Sequence, residues 1–175
     1  MSIDMFFKHG TQHFSRIRRM MQGFGQRVPE VPEMPDEKDR ISRGRLILEE
    51  LLEYLEGAAL QLCVSGDDPA DPESRLAFEE LKIAGLPGAA PNFVLMADAL
   101  TDLSVVTIGS FVSMGIPDGP LLELVDENNL LKIARGHLDK TTGKFIKPAD
   151  HQPPDIANLL LKLGCSRELV GLVAA

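Results

Sequence analysis

FVLMADALTDLSVVTIGSFVSMGI, from Phe93 to Ile116, carries two charges, Asp98 and Asp102, in a stretch that is otherwise apolar or weakly polar. A helix that is apolar on nearly every side belongs inside a bundle, so the expected fold is an all-α helical bundle with this segment at its centre. Asn92 stands before it as an N-cap, and Gly115 closes it as a C′ glycine. The aspartates are four residues apart and so lie about 40° apart on one face. Carboxylates in an apolar interior are protonated, paired with a cation or bound to a metal. A membrane span is the weaker reading. Each Asp near a helix centre costs about 2.5–3.5 kcal/mol on insertion, and the uncharged run Leu103–Ile116 is too short to cross alone.

The 175-residue chain is sized for one domain. Working outward, we read residues 1–27 as a basic N-terminal helix, 28–39 as a proline-rich connector, 40–134 as the helical core, and 135–175 as a loop followed by short helices. In the first of these a helix is expected over Asp4–Gln22, with Phe6, Phe7, Phe14, Ile17, Met20 and Met21 on its apolar side and Gly10 interrupting it. His9 and His13 are spaced i, i+4, which fits either surface histidines or two metal ligands, but without the glutamate of an H-E-x-x-H motif. Lys8, Arg16, Arg18, Arg19 and Arg27 against Asp4 give this segment a local +4, leaving −12 on the remainder and −8 overall. Such an acidic chain is not drawn to nucleic acid or to anionic membranes.

Between Arg40 and Val64 a helix is expected, with Leu48, Leu51, Leu52, Leu55, Ala59 and Leu62 as its buried stripe. Glu49, Glu53 and Glu56 share another face, with Glu50 beside them and Arg45 as the one local cation. That ridge is either a solvated acidic face or half of a metal site. A further helix is expected from Pro72 through Ile83, another over Pro120–Ala134 after the turn GIPDGP, and short ones over Asp155–Leu163 and, after a Ser166 cap, Arg167–Val173. Residues 135–154 read as an irregular loop. Cys63 and Cys165, far apart and outside any C-x-x-C motif, are expected to be reduced core fillers, and with no secretory signal at the amino terminus the cytoplasm is the expected compartment.

If the two acidic helices run antiparallel, Glu49, Glu50, Glu53, Asp98 and Asp102 meet. All-oxygen ligands favour Mg²⁺ or Mn²⁺, and magnesium shares its shell with substrate phosphates. A di-iron carboxylate bundle would need Glu-x-x-His on its helices, which this chain lacks. Metal-assisted hydrolysis is the enzyme class this leaves. A non-catalytic helical protein, metal-binding or regulatory, is the alternative from another class.

RGRLILEELLEYLE, with Glu49-Glu50-x-x-Glu53, then ADALTDLSVVTIGSFVSMGI, NNLLK and GKFIKP follow one another in an order that resembles the all-α nucleotide pyrophosphohydrolases: the MazG-like group related to phosphoribosyl-ATP pyrophosphohydrolase and the dimeric dUTPases. The resemblance spans about Gln22 to Asp155. It implies a homodimer or higher oligomer that hydrolyses a nucleoside triphosphate to the monophosphate and pyrophosphate. It also implies Glu49, Glu50, Glu53 and Asp102 as magnesium ligands or water-orienting groups, one of the glutamates being the general base. Asn129 and Lys132, and less directly Lys144 and Lys147, would contact substrate phosphate or sugar. The family's Glu-x-x-Asp is altered here: Ala99 stands three residues before Asp102, and Asp98 one residue earlier is the substitute that remains.

Overall fold

The computed structural model describes residues 10–64, 81–85, 87–133, 135–141 and 145–171. Among them are five α-helices: α1 Gln12–Gly23, α2 Glu37–Gly57, α3 Phe93–Met114, α4 Asp118–Ile133 and α5 Ile156–Lys162. Two short antiparallel hairpins accompany them, β1 Leu60–Val64 with β2 Leu81–Gly85, and β3 His137–Leu138 with β4 Phe145–Ile146. The fold is predominantly helical, as expected of the all-α class. Contacts gather the chain into two compact units, Met1–Asp36 with Ile108–Ala175, and Glu37–Thr107.

In the first unit, α1 covers the expected helix from Gln12 on, and the part expected over Asp4–His9 lies outside the described residues. Gly10 has φ 65°, a left-handed conformation that ends any helix entering it, and Thr11 caps α1 by accepting from the Phe14 N–H. Thr11 in turn donates its N–H (2.8 Å) and its hydroxyl (2.7 Å) to Asp118, which is 1 % exposed at the start of α4. A Cβ on Gly10 would come within 2.7 Å of that carboxylate, so glycine is required here for space as well as for φ. Phe14, Ile17 and Met21 bury one face of α1. His13 Nε2 is shielded without a hydrogen-bond partner, while His9, the other half of that pair, lies outside the described residues.

The connector is extended, as its prolines require, and it crosses the C-terminal turn of α3. Glu33 donates its N–H to the Met114 carbonyl, and Gly115, at φ 70°, sits so close that a Cβ would come within 2.5 Å of the Val31 oxygen. Arg18–Glu30 and Arg27–Glu33 ion pairs fasten it further. Beyond α4, Asn128 Oδ1 accepts from His151 Nε2 and Asn128 Nδ2 donates to the Gln152 carbonyl, and Arg135 pairs with Asp150. Of the helix expected over Arg167–Val173, the described residues through Gly171 form a turn, with the Ser166 hydroxyl accepting from the Leu169 N–H. Cys165 is buried as expected; the Cys63 side chain lies outside the described set.

In the second unit, α2 starts three residues earlier than expected and stops at Gly57, not Val64. Ala59 is left-handed at φ 56°, which breaks the helix, and Leu60–Val64 continues as a strand paired with Leu81–Gly85 from Leu60↔Gly85 to Val64↔Leu81. The helix expected through Ile83 is therefore a strand over its last residues; the rest of it lies outside the described residues. The α3 boundaries follow the sequence reading: Asn92 Oδ1 accepts from the Val94 and Leu95 N–H groups, and Gly115 takes the positive φ.

Burial corrects two expectations. Of the expected α2 stripe, Leu55 and Ala59 are buried, but Leu48, Leu51 and Leu52 are 49, 39 and 44 % exposed. Phe93, Val94, Leu95 and Leu100 of α3 are exposed as well, although the helix was expected at the centre of a bundle. Spacing specifies which residues share a face, not what covers it. By length and composition alone, α3 would also be long and apolar enough to cross a membrane.

Candidate functional site

Glu49, Glu50, Glu53, Asp98 and Asp102 stand on α2 and α3, which touch at one glycine. The Asn92 N–H donates to the Gly57 carbonyl at 2.6 Å, and a Cβ on Gly57 would stand 3.0 Å from both Leu95 Cβ and Met96 N. The last turn of α2 thus rests on the first turn of α3, backbone against backbone. From that contact, at 1.5 Å per residue, Glu50 lies about 10 Å back along α2 and Asp102 about 10 Å forward along α3. Ala99, 3 % exposed, stands on α3 between the contact and Asp102.

Glu50 carries the electrostatic record of that juxtaposition. Its Oε2 is shielded from solvent and has no hydrogen-bond partner. Desolvation pushes its carboxyl above the ordinary glutamate range, and the charges of Glu53, Asp102, Glu49 and Asp98 push it further in the same direction. Glu49, Glu53, Asp98 and Asp102 are therefore each within electrostatic reach of Glu50. Glu49, Glu53, Asp98 and Asp102 are exposed, so Asp98 and Asp102 are not the buried pair the sequence predicts. None of the five is in an ion pair among the described residues, and Arg45 makes none with Glu49.

What this arrangement can do follows from its donor set. Among the described residues no three His, Cys, Asp or Glu side chains are close enough to enclose an ion as they stand. Bare carboxylates repel and splay. Among the described residues there is thus no four-ligand cage of the zinc type; there is one sheltered, unpartnered carboxylate oxygen with four further carboxylates in electrostatic reach of it. That suits magnesium, which accepts one or two carboxylates and fills the remaining positions with water and phosphate oxygens.

The substrate-binding candidates lie in the first unit. Asn129, Lys132 and Lys147 line one open cleft of about 510 Å³, together with Ile133, Phe145 and Ile146. Lys132 Nζ donates to Asn129 Oδ1 at 2.5 Å. Lys144 lies outside the described residues. Sequence reading overlooked Gly57, whose role is visible only once its neighbour is known, and Phe145, although GKFIKP places an aromatic between two of the lysines it did select.

Gly57→Ala is expected to lower stability by about 1–3 kcal/mol through overpacking, against a helix-propensity gain of roughly 1 kcal/mol for alanine. Thermal denaturation would show it, and a variant as stable as the wild type would mean the two helices have room to part.

No curated protein matches the chain. A family model, phosphoribosyl-ATP pyrophosphohydrolase, matches residues 17–129, which contain both acidic helices and end on Asn129. The chain belongs to the phosphoribosyl-ATP pyrophosphohydrolase family, within the MazG-like superfamily, and is a pyrophosphohydrolase acting on the phosphoric anhydride bond of a nucleotide.

Proposed function

We propose that the protein is a Mg²⁺-dependent nucleoside triphosphate pyrophosphohydrolase, with Mn²⁺ able to replace Mg²⁺, that cleaves between the α and β phosphorus and releases the monophosphate and pyrophosphate. The observation that carries this reading is the shielded, unpartnered Oε2 of Glu50 among four further carboxylates. Glu49, Glu50, Glu53, Asp98 and Asp102 hold the metal, Asp98 taking the place of the glutamate that Ala99 removes from the family motif. Ala99 is buried whereas Asp98 is exposed and acts on Glu50, which supports that substitution. When bound, the ion neutralises phosphate charge and lowers the pKa of a coordinated water. One of Glu49, Glu50 or Glu53 accepts the proton of the attacking water. Asn129, Lys132 and Lys147, with Lys144, bind the phosphates or sugar of the substrate.

The same reading makes the chain a single-domain cytoplasmic enzyme that works as a homodimer or larger assembly. Exposed Leu48, Leu51, Leu52, Phe93, Val94 and Leu95 supply apolar surface of the kind that a second copy covers. The net charge of −8 speaks against a nucleic-acid partner, and the two aspartates of α3 against a membrane. Incubation with nucleoside triphosphates and Mg²⁺ tests the central point. Monophosphate and pyrophosphate should appear, cease with EDTA and return with Mg²⁺ or Mn²⁺; diphosphate and orthophosphate as sole products would overturn it.

A further inference from the structure

The cleft that holds Asn129, Lys132 and Lys147 has a second chemistry that the phosphate role leaves unused. Half of its lining is apolar, from Ile133, Phe145 and Ile146. Phe145 is 41 % exposed, so part of its ring is open to solvent at the cleft. The rest of the ring is held. A Cβ on Gly136 would overlap Phe145 Cε1 and Cζ and would come within 2.8 Å of the Ile146 carbonyl oxygen. The ring therefore rests on the bare backbone of Gly136. Pairing of His137 with Ile146 and of Leu138 with Phe145 fixes the two strands that carry this contact. An aromatic ring seated on a glycine, partly exposed, and next to two ammonium groups and a carboxamide presents the two chemistries of a nucleotide, a flat π face and a polyanion, within one cavity.

We propose that Phe145 is the stacking platform for the substrate's nucleobase, with Gly136 as the residue that positions it, while Lys132 and Lys147 take the phosphates. This rests on the nucleotide-hydrolysing reading and adds what lets the site discriminate a nucleotide from a bare polyphosphate. Stacking on an aromatic side chain tolerates any base, because every base has a π face. Phe145 therefore selects for the presence of a base, and other groups choose among bases.

The test is calorimetric binding of an α,β-methylene nucleoside triphosphate and of inorganic tripolyphosphate, both with Mg²⁺, to wild type, Phe145→Leu and Phe145→Tyr. Phe145→Leu keeps an apolar side chain under the hairpin and should weaken the nucleotide about 5- to 100-fold, the range of base–aromatic stacking, with tripolyphosphate unchanged. Phe145→Tyr should restore nucleotide binding. Gly136→Ala, which displaces the ring without removing it, should reproduce the selective loss should Phe145→Leu fail to fold. Unchanged nucleotide affinity in Phe145→Leu, or equal weakening of both ligands, would overturn the proposal. A wild type that binds both ligands equally would do the same. Failure of the functional reading looks different: the binding contrast would persist while the wild type released no pyrophosphate.

Discussion

Glu50→Gln is expected to lower turnover at least about a hundredfold and, at the same time, to raise the melting temperature of the metal-free protein at pH 7. Loss of groups that merely support a metal ligand already costs about 10–100-fold, and in the proposed reading Glu50 is itself a ligand. The stability change has the opposite sign because the shielded carboxylate of Glu50 faces four others without a cation among the described residues. Gln keeps the shape and removes the charge. For a chain of this length each kcal/mol of relieved repulsion raises the midpoint by about 2–4 °C. Asp102→Asn should behave alike in activity and preserve the fold, since Asp102 is exposed. Kinetics and calorimetry on the same preparations check this. A Glu50→Gln variant that is less stable and still fully active would move Glu50 from chemistry to structure.

Magnesium should stabilise the wild type by about 2.7 kcal/mol at a hundred times its Kd, as any ligand confined to the folded state does. The pH dependence gives a second sign to check. Because the folded protein raises the Glu50 pKa, it binds protons more tightly than the unfolded chain between the ordinary glutamate value and the raised one. Metal-free stability therefore falls as pH rises through that window and levels off above it. Glu50→Gln should flatten the fall. With Mg²⁺ present the trend should reverse, since the ion binds the deprotonated cluster. A metal-free protein that grows more stable across that window, or a melting curve indifferent to Mg²⁺, would contradict the convergence of the two acidic helices.

The parts of the fold legible in the sequence are those fixed by local chemistry. Asn92 and Gly115 bound α3 as caps because capping needs only a few residues around the terminus. Leu62 misled because LQLCV continues the three- and four-residue spacing of α2, and a short apolar run reads equally as helix or strand. What decides is Leu81–Gly85, distant in sequence, which pairs with it. Likewise Leu48, Leu51 and Leu52 form a stripe by their spacing, and nothing local specifies whether this chain or another covers them. For the proposed site, the spacing of the carboxylates along each helix was legible and the contact between the helices was not. Gly57 reads as an ordinary helix end until Leu95 and Met96 are found against it, and Gly136 as an ordinary loop glycine until Phe145 is found on it.

The bond that is broken decides the account most directly. In the proposed reading the carboxylates of α2 and α3 would hold a cation that favours attack at the α phosphorus, and pyrophosphate, its charge spread over two phosphates, would be the leaving group. Turnover of a nucleoside triphosphate with Mg²⁺ in ¹⁸O-water, read by mass spectrometry, should yield labelled monophosphate and unlabelled pyrophosphate. Label in the pyrophosphate would place the attack on the β phosphorus, and labelled orthophosphate beside a nucleoside diphosphate would contradict the assignment outright.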